Sequence, residues 1–331
     1  MKRKLSITIL LYSVLFLPLN GQDLFEQSND LLVQEIDETY RKGLDFLAES
    51  QEESGCWSDS SYGSQPGVVG TAILAFLARG DDPEFGPYCL HLKRAMGFLL
   101  KQQNQKTGYI GNSMYNHGFA TLALAEAYGL TNDLRLGPAL EKATKLIISS
   151  QKSNSKGGWR YSPESQDADT TVSGAQLIAL FAARNAGIKV PQEAIDKGKA
   201  FLLSCQDSSG GFGYTTASGA NLPRSAIGSL ILSLAKDTNT DAYRNSIDYL
   251  KKNSPFGDQG HKFYSLYYTS QAMFRASPSM WNSWNYQNFK RLQSTQTENG
   301  SWNGNYGKTF TTTAGLLSLA LNYRYLPIYE R

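Results

Sequence analysis

Apolar residues recur along this chain at helical spacing, in segments that come in pairs. In residues 138–151, Leu140, Ala143, Leu146 and Ile147 fall three and four apart with polar residues between them, as one buried helix face requires. A second kind of segment follows each of the first. Residues 118–129 and 171–183 are rich in Ala, Gly and Leu, poor in charge and apolar nearly all round. Helices with one apolar face belong on the outside of a fold and helices apolar all round belong inside. The alternation therefore predicts an outer and an inner layer of helices, with small residues letting the inner ones approach closely.

The pairs repeat. Each first-type segment ends at a polar residue, at positions 51, 103, 151, 206, 254 and 296; it is Gln at all but Ser254. A Gly-rich turn then delivers Trp57, Tyr109, Trp159, Phe212 or Trp302, and after Ser254 that turn is lost. The anchors are 52, 48, 55, 48 and 42 residues apart, a period typical of repeat architectures. Helical pairs of this kind build open solenoids as well as closed rings. Residues 311–321 in the last unit are as apolar as the internal inner segments and no polar cap follows, which favours a ring. One aromatic per turn is the number needed to pin each helix end to its neighbour, so the repeated aromatics read as packing.

Charge and cysteines narrow the function. Lys2, Arg3 and Lys4 precede an apolar stretch over residues 5–19, with Gly21 as a small residue for cleavage, the layout of an export signal. The expected organisation is a signal peptide over 1–21, a linker over 22–35 and one domain over 36–331. The expected location is periplasmic or secreted, with no transmembrane segment after cleavage. The formal charge of +3 becomes zero without residues 1–21, because 29 basic residues then face 29 acidic ones. That surface gives no electrostatic reason to expect nucleic acid as a partner. Cys56, Cys89 and Cys205 are an odd set, so at least one is free. They form no C-x-x-C or Cys/His cluster, and neither a metal nor a cofactor is expected.

Gln51-x3-Gly55-x-Trp57, Gln151-x5-Gly157-x-Trp159 and Gln296-x3-Gly300-x-Trp302 resemble the Gln/Trp motif of the prenyltransferase and squalene-cyclase repeat superfamily. The resemblance covers roughly residues 36 to 326 and implies an all-α (α/α)6 toroid of six helical hairpins. Residues 115–129, 167–174, 267–274 and 323–329 look like an exported bacterial branch of that superfamily, one with no established activity. The Asp-x-Cys zinc pair of protein prenyltransferases is absent from the sequence.

In such a ring the connections sit beside the N-termini of the inner helices, and residues far apart in sequence meet at one mouth. Asp167-Ala168-Asp169-Thr170 resembles the Asp-x-Asp-Asp acid motif of class II terpene cyclases, with Asp169 matching the proton donor and Thr170 replacing the last Asp. The competing assignment makes Asp167 or Asp169 a helix N-cap. His117, at the start of the neighbouring inner helix, is the candidate to face Asp169 as an acid/base or orienting partner. The candidate ligand contacts are Tyr115, Asn116, Arg224, Tyr264, Tyr267, Tyr268 and Gln271. These features favour a binding protein, taking an apolar or extended ligand or a protein partner at the mouth, over an enzyme. The alternatives are a terpene-cyclase-like enzyme with Asp169 as general acid, and a glycan-active toroid. For the second, Asp167 and Asp169 lie too close in sequence to oppose one another across a sugar.

Overall fold

The computed structural model describes residues 21–60, 62–254 and 261–330. Residues 1–20 of the expected export signal and the turn after Ser254 lie outside them. Among the described residues there are twelve α-helices and no named strand. The outer helices are α1 (Gly21–Ser50), α3 (Cys89–Gln102), α5 (Leu136–Lys152), α7 (Gln192–Ser204), α9 (Asp241–Asn253) and α11 (Pro278–Thr295). They alternate with inner helices α2 (Pro66–Arg79), α4 (Met114–Tyr128), α6 (Thr170–Asn185), α8 (Leu222–Leu234), α10 (Lys262–Ala276) and α12 (Lys308–Leu319). Each inner helix packs on the next, and α12 packs on α2. The ring is closed, as its uncapped last repeat predicts.

Helix α1 takes in residues 22–35 as its first part. Its packed face begins later. Ile36, Tyr40, Leu44 and Leu47 are buried, whereas Leu31 and Val33 are exposed. In α2 every residue from Pro66 to Ala78 is buried, as an inner position demands. Close approach needs small residues there: a Cβ on Gly70 of α2 would lie 2.8 Å from the Phe119 carbonyl oxygen of α4.

The anchors stitch the outer layer. Gln103 Nε2 donates to the Gly108 carbonyl of its own turn at 3.1 Å and to Ala139 of the next outer helix at 2.8 Å. Gln151 and Gln206 repeat this with Gly157 and Ala194, and with Gly210 and Ala242. Gln51 reaches Gly55 and His91. The indole N–H groups of Trp57, Trp159 and Trp302 donate back to Leu47, Ile147 and Leu292 of their own outer helices at 2.8 to 2.9 Å. All three rings are fully buried, so the repeated tryptophans fasten turns.

At the end opposite the turns, the 3-10 helix Pro327–Tyr329 packs against α6. Arg275 donates to the Ile328 carbonyl at 2.5 Å, and Ile328 and Tyr329 are buried. Glu126 of α4 takes a backbone N–H from Ile328, and burial pushes its carboxyl up to about 8. Cys56, Cys89 and Cys205 are all free thiols, two buried and Cys89 half-buried. No helix among the described residues is long and apolar enough to cross a membrane.

Candidate functional site

All six inner helices point their N-terminal turns at one cavity of about 750 Å³. Val68 and Thr71 come from α2, Tyr115 and Phe119 from α4, Thr171 from α6, Arg224 from α8, Tyr264 from α10 and Phe310 from α12. The turns add Tyr62, Tyr161, Tyr214 and Tyr306. The wall is therefore rich in aromatic rings, with Gln65, Asn112, Asn116 and Asn221 among its polar groups. No carboxylate lines it among the described residues. The rings support one another: Tyr62 meets Tyr306 edge-on at 5.4 Å, and Tyr306 meets Phe310 edge-on at 5.6 Å. Such contacts hold aromatic faces in place with little residual freedom.

Four of the expected ligand contacts line the cavity: Tyr115, Asn116, Arg224 and Tyr264. Asn116 also joins two inner helices, accepting from Gly67 N at 3.0 Å and donating to Gln65 at 2.8 Å. The other three lie elsewhere. Tyr267, Tyr268 and Gln271 are buried along α10 below the cavity, the two tyrosines one turn deeper than Tyr264 and Gln271 two turns deeper. Tyr268 packs edge-on against Tyr264 at 5.0 Å and against Tyr267 at 4.7 Å. These rings fill the barrel axis and form no part of the cavity wall.

The expected catalytic trio does not assemble. Asp169 is fully buried and is the N-cap of α6, its Oδ1 accepting from Thr171 N at 2.8 Å and Val172 N at 2.9 Å. Burial pushes its carboxyl up, and the capping bonds together with Arg160 act against that. Asp169 does not line the cavity. Its link to it is indirect: Tyr115 donates to Thr171 Oγ1, which donates to Asp169 Oδ1 at 2.6 Å. With the threonine proton spent on Asp169, the chain of donors runs inward from the cavity to the carboxylate. Asp167 is exposed and paired with Arg160 at 2.5 Å.

His117 turns away from both carboxylates. Its Nδ1 accepts from Ile110 N at 3.1 Å and its Nε2 lies 3.0 Å from the Ala143 carbonyl of α5. The first bond leaves the proton on Nε2, which donates to Ala143. Burial lowers its pKa to about 4. A neutral ring with both nitrogens engaged fastens a turn to an outer helix, and it does not face Asp169.

The residues that the expectations omitted are the turn aromatics. Tyr161 and Tyr214 follow the repeat aromatics Trp159 and Phe212 by two positions, and Tyr62 and Tyr306 follow Trp57 and Trp302 within five. That second aromatic after each turn is the signal that marks them. His261 lines the cavity too, with its Nδ1 2.8 Å from the Tyr306 hydroxyl.

Fold and mouth together define an α/α toroid with an aromatic-walled cavity at the inner-helix N-termini. Among solved structures the chain is similar to a type II terpene cyclase from Scytonema, at 14% identity and a TM-score of 0.58, covering 88% of this chain and 99% of that one. It is also similar to an α-1,6-mannanase, GH76A, from Salegentibacter sp. HEL1_6, at 11% identity and a TM-score of 0.64, covering 86% and 98%. At such identities the likeness concerns the fold, and this fold is one that serves two unrelated kinds of enzyme. The chain belongs to the family described as Domain of unknown function (DUF6288), whose model matches residues 37–329.

Proposed function

We propose that this protein binds an apolar or extended small-molecule ligand in the mouth of the toroid, without chemistry performed by Asp169, Asp167 or His117. The observation that carries the reading is the cavity: about 750 Å³, walled by aromatic rings from the turns and inner helices, with no carboxylate in its wall among the described residues. Concave, mostly apolar spaces of this size with a few convergent polar groups are where small ligands bind. Export, expected from residues 1–21, belongs to the same reading and places the ligand outside the cytoplasm.

The two enzyme readings fit the fold and find less support at the site. A terpene-cyclase acid has to present a proton to the cavity, whereas Oδ1 of Asp169 accepts three bonds and Thr171 and Tyr115 lie between it and the space. Glycoside hydrolysis uses two carboxyl groups set about 5 to 10 Å apart across the sugar, and among the described residues the cavity wall offers no such pair. The test is calorimetric titration of the protein with 1-decanol, beside Val68→Trp, which narrows the cavity, and Tyr306→Ala, which removes part of its wall. The expected result is saturable binding that both variants weaken at least about ten-fold, roughly 1.4 kcal/mol. Binding that neither variant changes would place the ligand elsewhere.

A further inference from the structure

The cavity holds one permanent charge among the described residues, the guanidinium of Arg224. Its Nη2 donates to the Gly219 carbonyl at 2.5 Å, and the group lies 5.7 Å from the centre of the Tyr214 ring. Arg224 Nε is buried and has no hydrogen-bond partner. Arg224 also enters no ion pair among the described residues, where its neighbour Arg160 differs. Arg160 sits 5.4 Å from the same Tyr214 ring but is paired with Asp167 at 2.5 Å and lies 3.8 Å from Asp169.

A buried donor on a cation without a partner is costly, because water has been removed and nothing replaces it. Among the described residues the cavity wall contains no acid to offset the charge of this guanidinium. Gly219 and Tyr214 hold the guanidinium in place, so an anion meeting it needs little reorganisation. The six inner helices also aim their positive dipole ends at the space, although Asp169 and Asp59 cap α6 and α12.

Resting on the binding reading above, we propose that the ligand is an amphipathic carboxylate, with its head on Arg224 and its apolar body between the aromatic walls. A guanidinium fork matches a carboxylate in both shape and charge. One cation offsets one negative charge, and a phosphate monoester would leave a second uncompensated among aromatic rings. The apolar body follows from the rest of the wall, where Tyr115, Phe119, Tyr264 and Phe310 present ring surface.

The experiment compares decanoate with 1-decanol at pH 7.5 by calorimetry, using the full chain and its Arg224→Gln and Arg224→Lys variants. Wild type is expected to bind decanoate at least about ten-fold more tightly than decanol. Arg224→Gln is expected to remove that preference, costing decanoate at least about ten-fold more affinity than it costs decanol, with Arg224→Lys intermediate because it keeps the charge and loses the fork. Equal affinity of the two probes in wild type overturns the carboxylate assignment and leaves the cavity reading standing. A preference that survives in Arg224→Gln overturns it too. Failure of both probes to bind ends both proposals. Should Arg224→Gln not fold, the comparison of the two probes in wild type decides alone.

Discussion

Gln296 donates to the carbonyl of Thr39 at 2.9 Å across 257 residues of sequence, and to Gly300 of its own turn at 2.8 Å. It does for the last and first outer helices what Gln103 does for α3 and α5, so the ring is fastened where the chain begins and ends. Gln296→Ala is expected to lower unfolding free energy in urea by about 2 kcal/mol, since two modest bonds go and carbonyls are left unpaired. Gln151→Ala should cost a similar amount. A loss under about 0.5 kcal/mol at Gln296 would mean that closure does not depend on the stitch.

Gly300 takes φ of 84° in the turn that follows, and a Cβ there would stand 2.0 Å from the Lys42 carbonyl oxygen. Both the backbone conformation and the space exclude a side chain. Gly300→Ala should therefore cost about 3 kcal/mol or more in the same urea measurement, exceeding Gln296→Ala. A cost no larger than that of an exposed substitution would contradict the packing described for the turn.

Asp169 is assigned to capping α6. Asp169→Ala should cost about 1 to 2 kcal/mol and Asp169→Asn less, because Asn also caps. Neither should alter affinity for 1-decanol. A large drop in affinity in Asp169→Asn at unchanged stability would return this carboxyl to the site.

His117 gives stability a pH dependence. Its folded value of about 4 lies below the ordinary 6.5 because the ring is buried. Between those values the unfolded chain binds more protons, so stability is full above pH 6.5 and is lost as pH falls toward 4. The loss amounts to about 3 kcal/mol. In His117→Gln the slope over that window should vanish; an unchanged slope would assign the dependence to other groups.

Glu126 acts with the opposite sign. Burial raises its folded value from 4.5 to about 8, so the folded state binds more protons between those values and stability falls as pH rises through them. Glu126→Gln should remove that fall and stabilise the protein at pH 8 by an amount on the order of 4 kcal/mol. A destabilised variant at pH 8 would show that Glu126 is needed as a charge beside the C-terminal 3-10 helix.

Much of the ring was legible in the sequence because periodicity reports which helix faces are buried. The Gln anchors and tryptophans were legible for the same reason, and so was the capping role of Asp169, which short-range rules describe. What periodicity does not carry is height along an inner helix. Tyr264, in the first turn of α10, reaches the mouth, whereas Tyr267 and Tyr268 one turn further lie in the packed axis. It also does not say which way a residue at a helix start turns. Tyr115 and Asn116 face the cavity while the next residue, His117, faces α5. Tyr62, Tyr161, Tyr214 and Tyr306 sit in turns, where no helical period applies, and their meeting depends on the ring having closed.

The most direct measurement is a crystal structure of the protein grown with 1-decanol. The account predicts density for the alkyl chain inside the mouth, in contact with Phe119, Tyr264 and Phe310. Density for the alcohol at another surface, with the mouth holding only solvent, would contradict it.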